Sequence, residues 1–178
     1  MKSEQQSNPR SWLISWTVHC DGAWQNEGVG IAAILESPSG AKIRYAAHLS
    51  FDQSAPSTNN TTEYEALLLG LCKMKALGHQ DCVIKTYSKV IADHIEKESE
   101  ARKPKLIQYL EVVRATEKHF RVFTIIHIPR AQNDEADRLA KVAARKQQLP
   151  LDVFFKEIST PLTREKKESR INAIFSED

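Results

Sequence analysis

The chain has 178 residues, 41% of them hydrophobic, with 25 Lys and Arg against 23 Asp and Glu. That length suits one domain of ordinary size with loose ends and is too short for two comfortable cores. A net charge of +2 is too weak to demand a polyanionic partner, so any basic surface has to be local.

The longest apolar stretches, such as Ala66 to Cys72, fall far short of the roughly 20 residues that cross a bilayer, so no membrane partner is expected. Segment 1–10 is polar throughout and reads as a flexible lead-in. It contains no apolar stretch of the secretory kind, which points to an intracellular protein of cytoplasm or nucleus. Cys20, Cys72 and Cys82 sit in apolar runs without CxxC spacing, a pattern of buried free thiols and not of a zinc site.

In chain order, Trp12 to Cys20 and Val29 to Leu35 are β-branched and aromatic runs separated by a turn-like stretch, Asp21 to Gly28, and predict a hairpin. Alternation puts Trp12 and Trp16 on one face of that first strand as core residues, whereas Trp24 falls in the turn. There it either stacks on a nucleotide or simply covers the hairpin. Lys42 to Phe51 makes a third strand after Pro38-Ser39-Gly40. Glu63 to Leu77 carries apolar residues at helical spacing and stops at Gly78, with Asn60 and Glu63 spaced as a capping box.

Cys82 to Thr86 then reads as a strand, Lys89 to Ile95 as a short helix, and Glu96 to Lys105 as a charged connector containing Pro104. Leu106 to His119 is a second long helix, Val122 to Ile128 a fifth strand stopped by Pro129, and Asp134 to Arg145 an alanine-rich helix. The predicted order is βββαβααβα, an α/β domain at 11–146 with a five-stranded mixed sheet, its first three strands antiparallel, flanked by helices. Segment 147–178, with Pro150, Pro161 and the charged run Arg164 to Arg170, reads as a tail or linker.

Three acidic signals stand out, each explicable alone by local structure. Asp21-Gly22 is a common turn pair. Glu63 follows Thr58-Asn59-Asn60-Thr61-Thr62 near a helix start, where the helix dipole favours an acid. Asp137 belongs to Asn133-Asp134-Glu135-Ala136-Asp137-Arg138-Leu139-Ala140 at the start of the last helix, on the same grounds.

Their joint order within βββαβααβα resembles the ribonuclease H family over about Trp12 to Arg145. Tyr45-Ala46-Ala47-His48-Leu49, Glu63 to Leu71 and His127-Ile128-Pro129-Arg130 are similar to the version in plant gypsy-type LTR retrotransposon polyproteins. The resemblance implies a domain of a larger reverse transcriptase and integrase polyprotein, with 147–178 as the connector towards the integrase. It also implies cleavage of the RNA strand of an RNA–DNA hybrid with two Mg2+ (or Mn2+) ions, about 4 Å apart. By position, Asp21 would bridge both ions, Glu63 would serve the one that activates water, and Asp137 the other. Asn59 and Asn60 would contact the hybrid in its minor groove, where 2′-hydroxyls mark RNA; Arg130 and Asn133 are further substrate candidates.

The pattern breaks at the fourth carboxylate. Where the family has Asp-Ser, this chain has Thr86-Tyr87-Ser88, with Val90-Ile91 keeping the register. A neutral phenol is a poor magnesium ligand. Asp81 lies roughly 20 Å back along the strand, at about 3.3 Å per residue, and Asp93 more than a helical turn ahead, so neither substitutes.

Cleavage is therefore expected to be weakened or lost. The competing readings are a domesticated binding or interaction module without catalysis, and an active enzyme that manages with three carboxylates. The resemblance also calls for no catalytic histidine in the loop after Ile128, and His127 reads as a packed or partly exposed strand residue. Lys97, Arg102, Lys103 and Lys105 stand where other members carry a basic handle, and read equally as a solvated connector.

Overall fold

A computed structural model of the chain describes residues 15–26, 28–50, 59–96 and 103–159. Its strands are β1 (Thr17–Gln25), β2 (Gly28–Glu36), β3 (Lys42–Leu49), β4 (Asp81–Thr86), β5 (Val122–His127) and β6 (Val153–Ile158). The helices are α1 (Asn59–Ala76), α2 (Lys89–Glu96), α3 (Pro104–Glu117) and α4 (Asp134–Ala144), the last entered through a 3-10 turn, Arg130–Asn133.

The strands form one sheet in the order β5-β4-β1-β2-β3-β6. β1, β2 and β3 pair antiparallel; β4, β5 and β6 each join a neighbour in parallel. This is the mixed α/β sheet expected from the sequence, with six strands in place of five. The extra strand lies in the segment expected to be tail. Val153–Ile158 pairs with Arg44–Leu49, its Phe154 ring stacks on Tyr45 at 5.4 Å, and Ile158 joins the core. The long-range β3 partner makes it a strand; its own run of apolar residues does not alternate.

Two apolar layers flank the sheet. Val18, Cys20, Ile31 and Ala33 pack with Leu67, Leu71 and Met74 of α1, and with residues of α2 and α3. Ala23, Ala32 and Ile34 meet Ala136, Leu139 and Ala140 of α4. The three cysteines are free and buried in the described structure. Trp16 packs partly buried against the first layer, its ring 4.5 Å from that of His79, while Trp12 lies outside the described residues.

The largest departure near the site concerns β1. It starts later and runs further than predicted, so that Asp21, Gly22, Ala23 and Trp24 are paired with Ala32, Ile31, Gly30 and Val29. Asp21-Gly22 is therefore mid-strand and not a turn, and Trp24 is a half-exposed strand residue. Gly22 has another function. A methyl group there would come 2.5 Å from Thr62 Cγ2 and 3.1 Å from the Thr62 backbone, so the missing side chain lets α1 lie close against β1.

α1 also begins earlier than predicted, which makes Asn60 its second residue and moves Glu63 into the second turn; a capping box at that spacing is not formed. Its far end is as expected: Gly78 takes the left-handed φ of +78° and donates to Lys75 O, ending the helix without strain.

Candidate active site

The strand order and helix starts bring the predicted acids together. Asp21 is in the centre of β1 with 6% exposure, Glu63 enters from α1, and Asp137 from the first turn of α4. Asp21 is the hub: its carboxyl lies within hydrogen-bonding reach of both Glu63 and Asp137, while Asp137 also acts on Glu63 as a nearby charge. Gly22 N–H donates to Asp21 Oδ1 at 2.9 Å, fixing that carboxyl against its own strand.

Burial, followed by the neighbouring carboxylates, pushes Glu63 up from the usual carboxylate range. Burial and the Asp137 charge push Asp21 up too, although the hydrogen bond from Glu63 opposes this. Like charges this close in a poorly hydrated corner cannot all ionise, and the proton is held most firmly on Glu63.

A carboxyl whose folded pKa is raised stabilises the fold below its unfolded pKa, and that contribution is lost as pH rises through the folded pKa. The metal-free protein is thus expected to melt at falling temperature as pH rises from 5 to 9. Asp21→Asn should flatten that dependence in a thermal scan with chelator. A wild-type melting temperature that climbs over the same range would contradict the arrangement.

Hard divalent cations take oxygen ligands. Asp21 and Glu63 supply these, and Glu63 Oε2 is buried without a hydrogen-bond partner, as an oxygen meant for a cation would be. Asp137 fits more loosely, because Lys141 one turn on in α4 neutralises it at 2.8 Å. Among the described residues no three acids, histidines or cysteines form a ready-made ligand shell. Lys141 was not among the sequence candidates, yet its i,i+4 spacing from Asp137 was there to be read.

The parallel register that pairs Cys20 with Thr86 sets Tyr87 at the level of Asp21, next to the position of the hub. Its ring lies with Arg130 and His127. It is 41% exposed, with the Arg130 guanidinium 5.2 Å above its centroid and the His127 ring 6.4 Å away. His127 is exposed at the end of β5, with Nε2 3.0 Å from Tyr87 O. Ser88 starts α2, accepting from Ile91 N–H at 3.3 Å. Asp81, at the far end of β4, is paired with Arg121.

The substrate candidates divide. Asn60 is half-buried at the start of α1, one turn before Glu63, and Asn59 opens the helix. Arg130 is exposed beside Tyr87. Asn133 is 2% exposed and donates through Nδ2 to Cys20 O at 3.0 Å, so its amide nitrogen tethers the start of α4 to β1, while its Oδ1 is buried without a hydrogen-bond partner. Of the basic connector, Lys103 and Lys105 lie at the start of α3; Lys97 and Arg102 are outside the described residues.

A strand-centred acid, helix-borne partners and this sheet order define a ribonuclease H-like domain. The chain belongs to the reverse transcriptase-like family, whose model matches residues 19–143. Among solved structures, RNase H1 from the archaeon Halobacterium salinarum NRC-1 has a TM-score of 0.65 at 24% identity, over 72% of this chain and 96% of that one. The N-terminal RNase H domain of Rv2228c from Mycobacterium tuberculosis, solved as a fusion with maltose-binding protein, gives 0.62 at 25% identity, over 73% and 93%. LC11-RNase H1, in complex with RNA/DNA hybrid, gives 0.66 at 21%, over 74% and 98%. By sequence, the bifunctional protein Rv2228c of M. tuberculosis is 31% identical over 87 residues, 49% of this chain. The match spans 24% of that protein's length. No described helix is long and apolar enough to cross a membrane.

Proposed function

We propose that this domain binds RNA–DNA hybrid along the groove edged by Asp21, Glu63 and Asp137, and that its metal-dependent cleavage of the RNA strand is weak or absent because Tyr87 replaces a ligand. The observation that carries this reading is the gathering of three carboxyls around Asp21 with an orphaned Glu63 oxygen. A relative in the same fold, LC11-RNase H1, was solved with RNA/DNA hybrid, which supports the choice of ligand.

Asp21, Glu63 and Asp137 would hold Mg2+ or Mn2+; bound there, two such ions would lower the pKa of an attacking water and neutralise the leaving oxygen. The chain's own groups do the rest. Gly22 N–H orients Asp21 and Lys141 restrains Asp137, while Asn59 and Asn60, the first residues of α1, would contact the minor groove, where 2′-hydroxyls distinguish RNA.

The setting we assign is an intracellular reverse transcriptase and integrase polyprotein of the plant gypsy type, with segment 1–10 as lead-in and the chain after β6 leading to the next domain. The phrase similarities around Tyr45, Glu63 and His127 support that assignment. A domesticated module that keeps the groove and has given up catalysis is the second reading. It is favoured by one observation: Tyr87 is occupied with Arg130 and His127 and not with the acids.

The test is anisotropy with labelled 20-base-pair hybrid and matching DNA duplex in Mg2+, alongside calorimetric Mg2+ titration. Hybrid is expected to bind more tightly than DNA, and Asp21→Asn to abolish the metal heat while hybrid binding persists. Equal affinity for both duplexes would remove the hybrid reading. A metal heat that survives Asp21→Asn would remove the assigned metal site.

A further inference from the structure

We infer that Tyr87, Arg130 and His127 form a nucleotide-binding platform that takes an unpaired base and its phosphate beside the acidic groove. This rests on the nucleic-acid reading above and names a site within it.

The three side chains arrive from different elements. Tyr87 follows β4, His127 ends β5 and Arg130 opens the 3-10 turn before α4. Their exposed faces converge, with guanidinium over phenol at 5.2 Å and imidazole 6.4 Å from phenol at an interplanar angle of 32°. His127 is held by its contact with the Tyr87 carbonyl. Arg130 has no carboxylate partner among the described residues, so its charge is available to a ligand. An arginine already placed over an aromatic ring loses less freedom when it takes a phosphate oxygen than one extended into solvent.

A tyrosine 41% exposed beside an unneutralised guanidinium suits a group that is flat and apolar on one side and anionic on the other, as a nucleotide is. Bases inside a duplex have both faces covered by their neighbours, so only a base at a strand end or in a single-stranded stretch can extend the Arg130–Tyr87 stack. The occupant is therefore an unpaired nucleotide. A tyrosine that is useless as a magnesium ligand thereby gains a role that an aspartate in its place would repel.

The experiment measures binding of a single-stranded RNA carrying 2-aminopurine at one end, in chelator so that metal plays no part. Tyr87→Ala is expected to bind about ten-fold more weakly, the size of one lost base stack, and to relieve the 2-aminopurine quenching seen with wild type. Tyr87→Phe should retain both. Arg130→Gln should lower the salt slope by about one phosphate contact, while Tyr87→Ala leaves the slope unchanged.

Far-ultraviolet circular dichroism confirms that each variant is folded, as expected for exposed positions. Wild-type affinity and quenching in Tyr87→Ala would overturn the platform while leaving hybrid binding intact. Failure of wild type to bind RNA, DNA or hybrid would instead overturn the nucleic-acid reading, and the platform with it.

Discussion

Tyr87→Asp is expected to raise Mg2+-dependent cleavage of RNA–DNA hybrid by about three orders of magnitude or more, the scale on which removing a single group impairs a catalytic cluster. The register argues for so large a gain. Thr86 lies beside Cys20, so an acid at position 87 would stand level with Asp21, while Ser88 continues to cap α2. The fold is already in place on every other side. A gel assay with end-labelled RNA in Mg2+ and in Mn2+ measures the gain, and Tyr87→Asn, which matches aspartate in size and polarity but lacks its charge, should leave cleavage at the wild-type level. Equal rates for wild type and Tyr87→Asp would show that three carboxyls load metal sufficiently, the reading in which this protein is already an enzyme. The same substitution should weaken single-strand binding in chelator, so the two properties trade against each other at one residue.

The second large effect is on stability. Gly30→Ala should cost about 3 kcal/mol, the upper part of the range for overpacking a tight interior, and lower the melting temperature by roughly 10 °C for a domain of this size. A methyl at Gly30 would overlap the Ala140 carbonyl and the backbone of Ala144, and backbone cannot swing aside as a side-chain tip can. The only relief is to lift α4 off β2, which also withdraws Asp137 from Asp21. Gly22→Ala should be milder, since the closest atom there is the Thr62 methyl. Thermal melts of both variants check the order, and a Gly30→Ala protein as stable as wild type would mean that α4 does not pack where described.

Much of this was legible from local pattern. The helices α2 and α4 and the strands β2, β4 and β5 fall within a residue or two of where periodicity and breakers put them, with Gly28, Ser88 and Pro129 marking three of those boundaries. The acids were legible only jointly, since each has an innocent local explanation. What the sequence misplaced depends on partners distant in the chain. Asp21-Gly22 looks like a turn until nine residues of β1 are matched against β2. Phe154 and Phe155 are 64% and 47% exposed and lack strand alternation, so β6 exists only by virtue of β3. Asn133, named as a substrate contact, has its Nδ2 engaged with Cys20 O across 113 residues of chain, a link that no local pattern announces. Tyr87 stood out in the sequence as an exception, but where its ring goes was decided by His127 at the end of β5 and Arg130 in the 3-10 turn that follows.

Asp21 sits on a strand that is bonded to β2 throughout, bonded to β4 as far as the neighbouring Cys20 and roofed by helices on both faces, and this sets what can move. Exposing the backbone of the strand's doubly paired half, Thr17 to Cys20, requires near-global opening, so the amides there should be among the slowest in the molecule to exchange hydrogen for deuterium. The hub acid is consequently an anchor about which the rest adjusts. Any breathing during substrate entry or departure falls to the helix-end groups, Asp137 with its lysine and Tyr87 with its arginine.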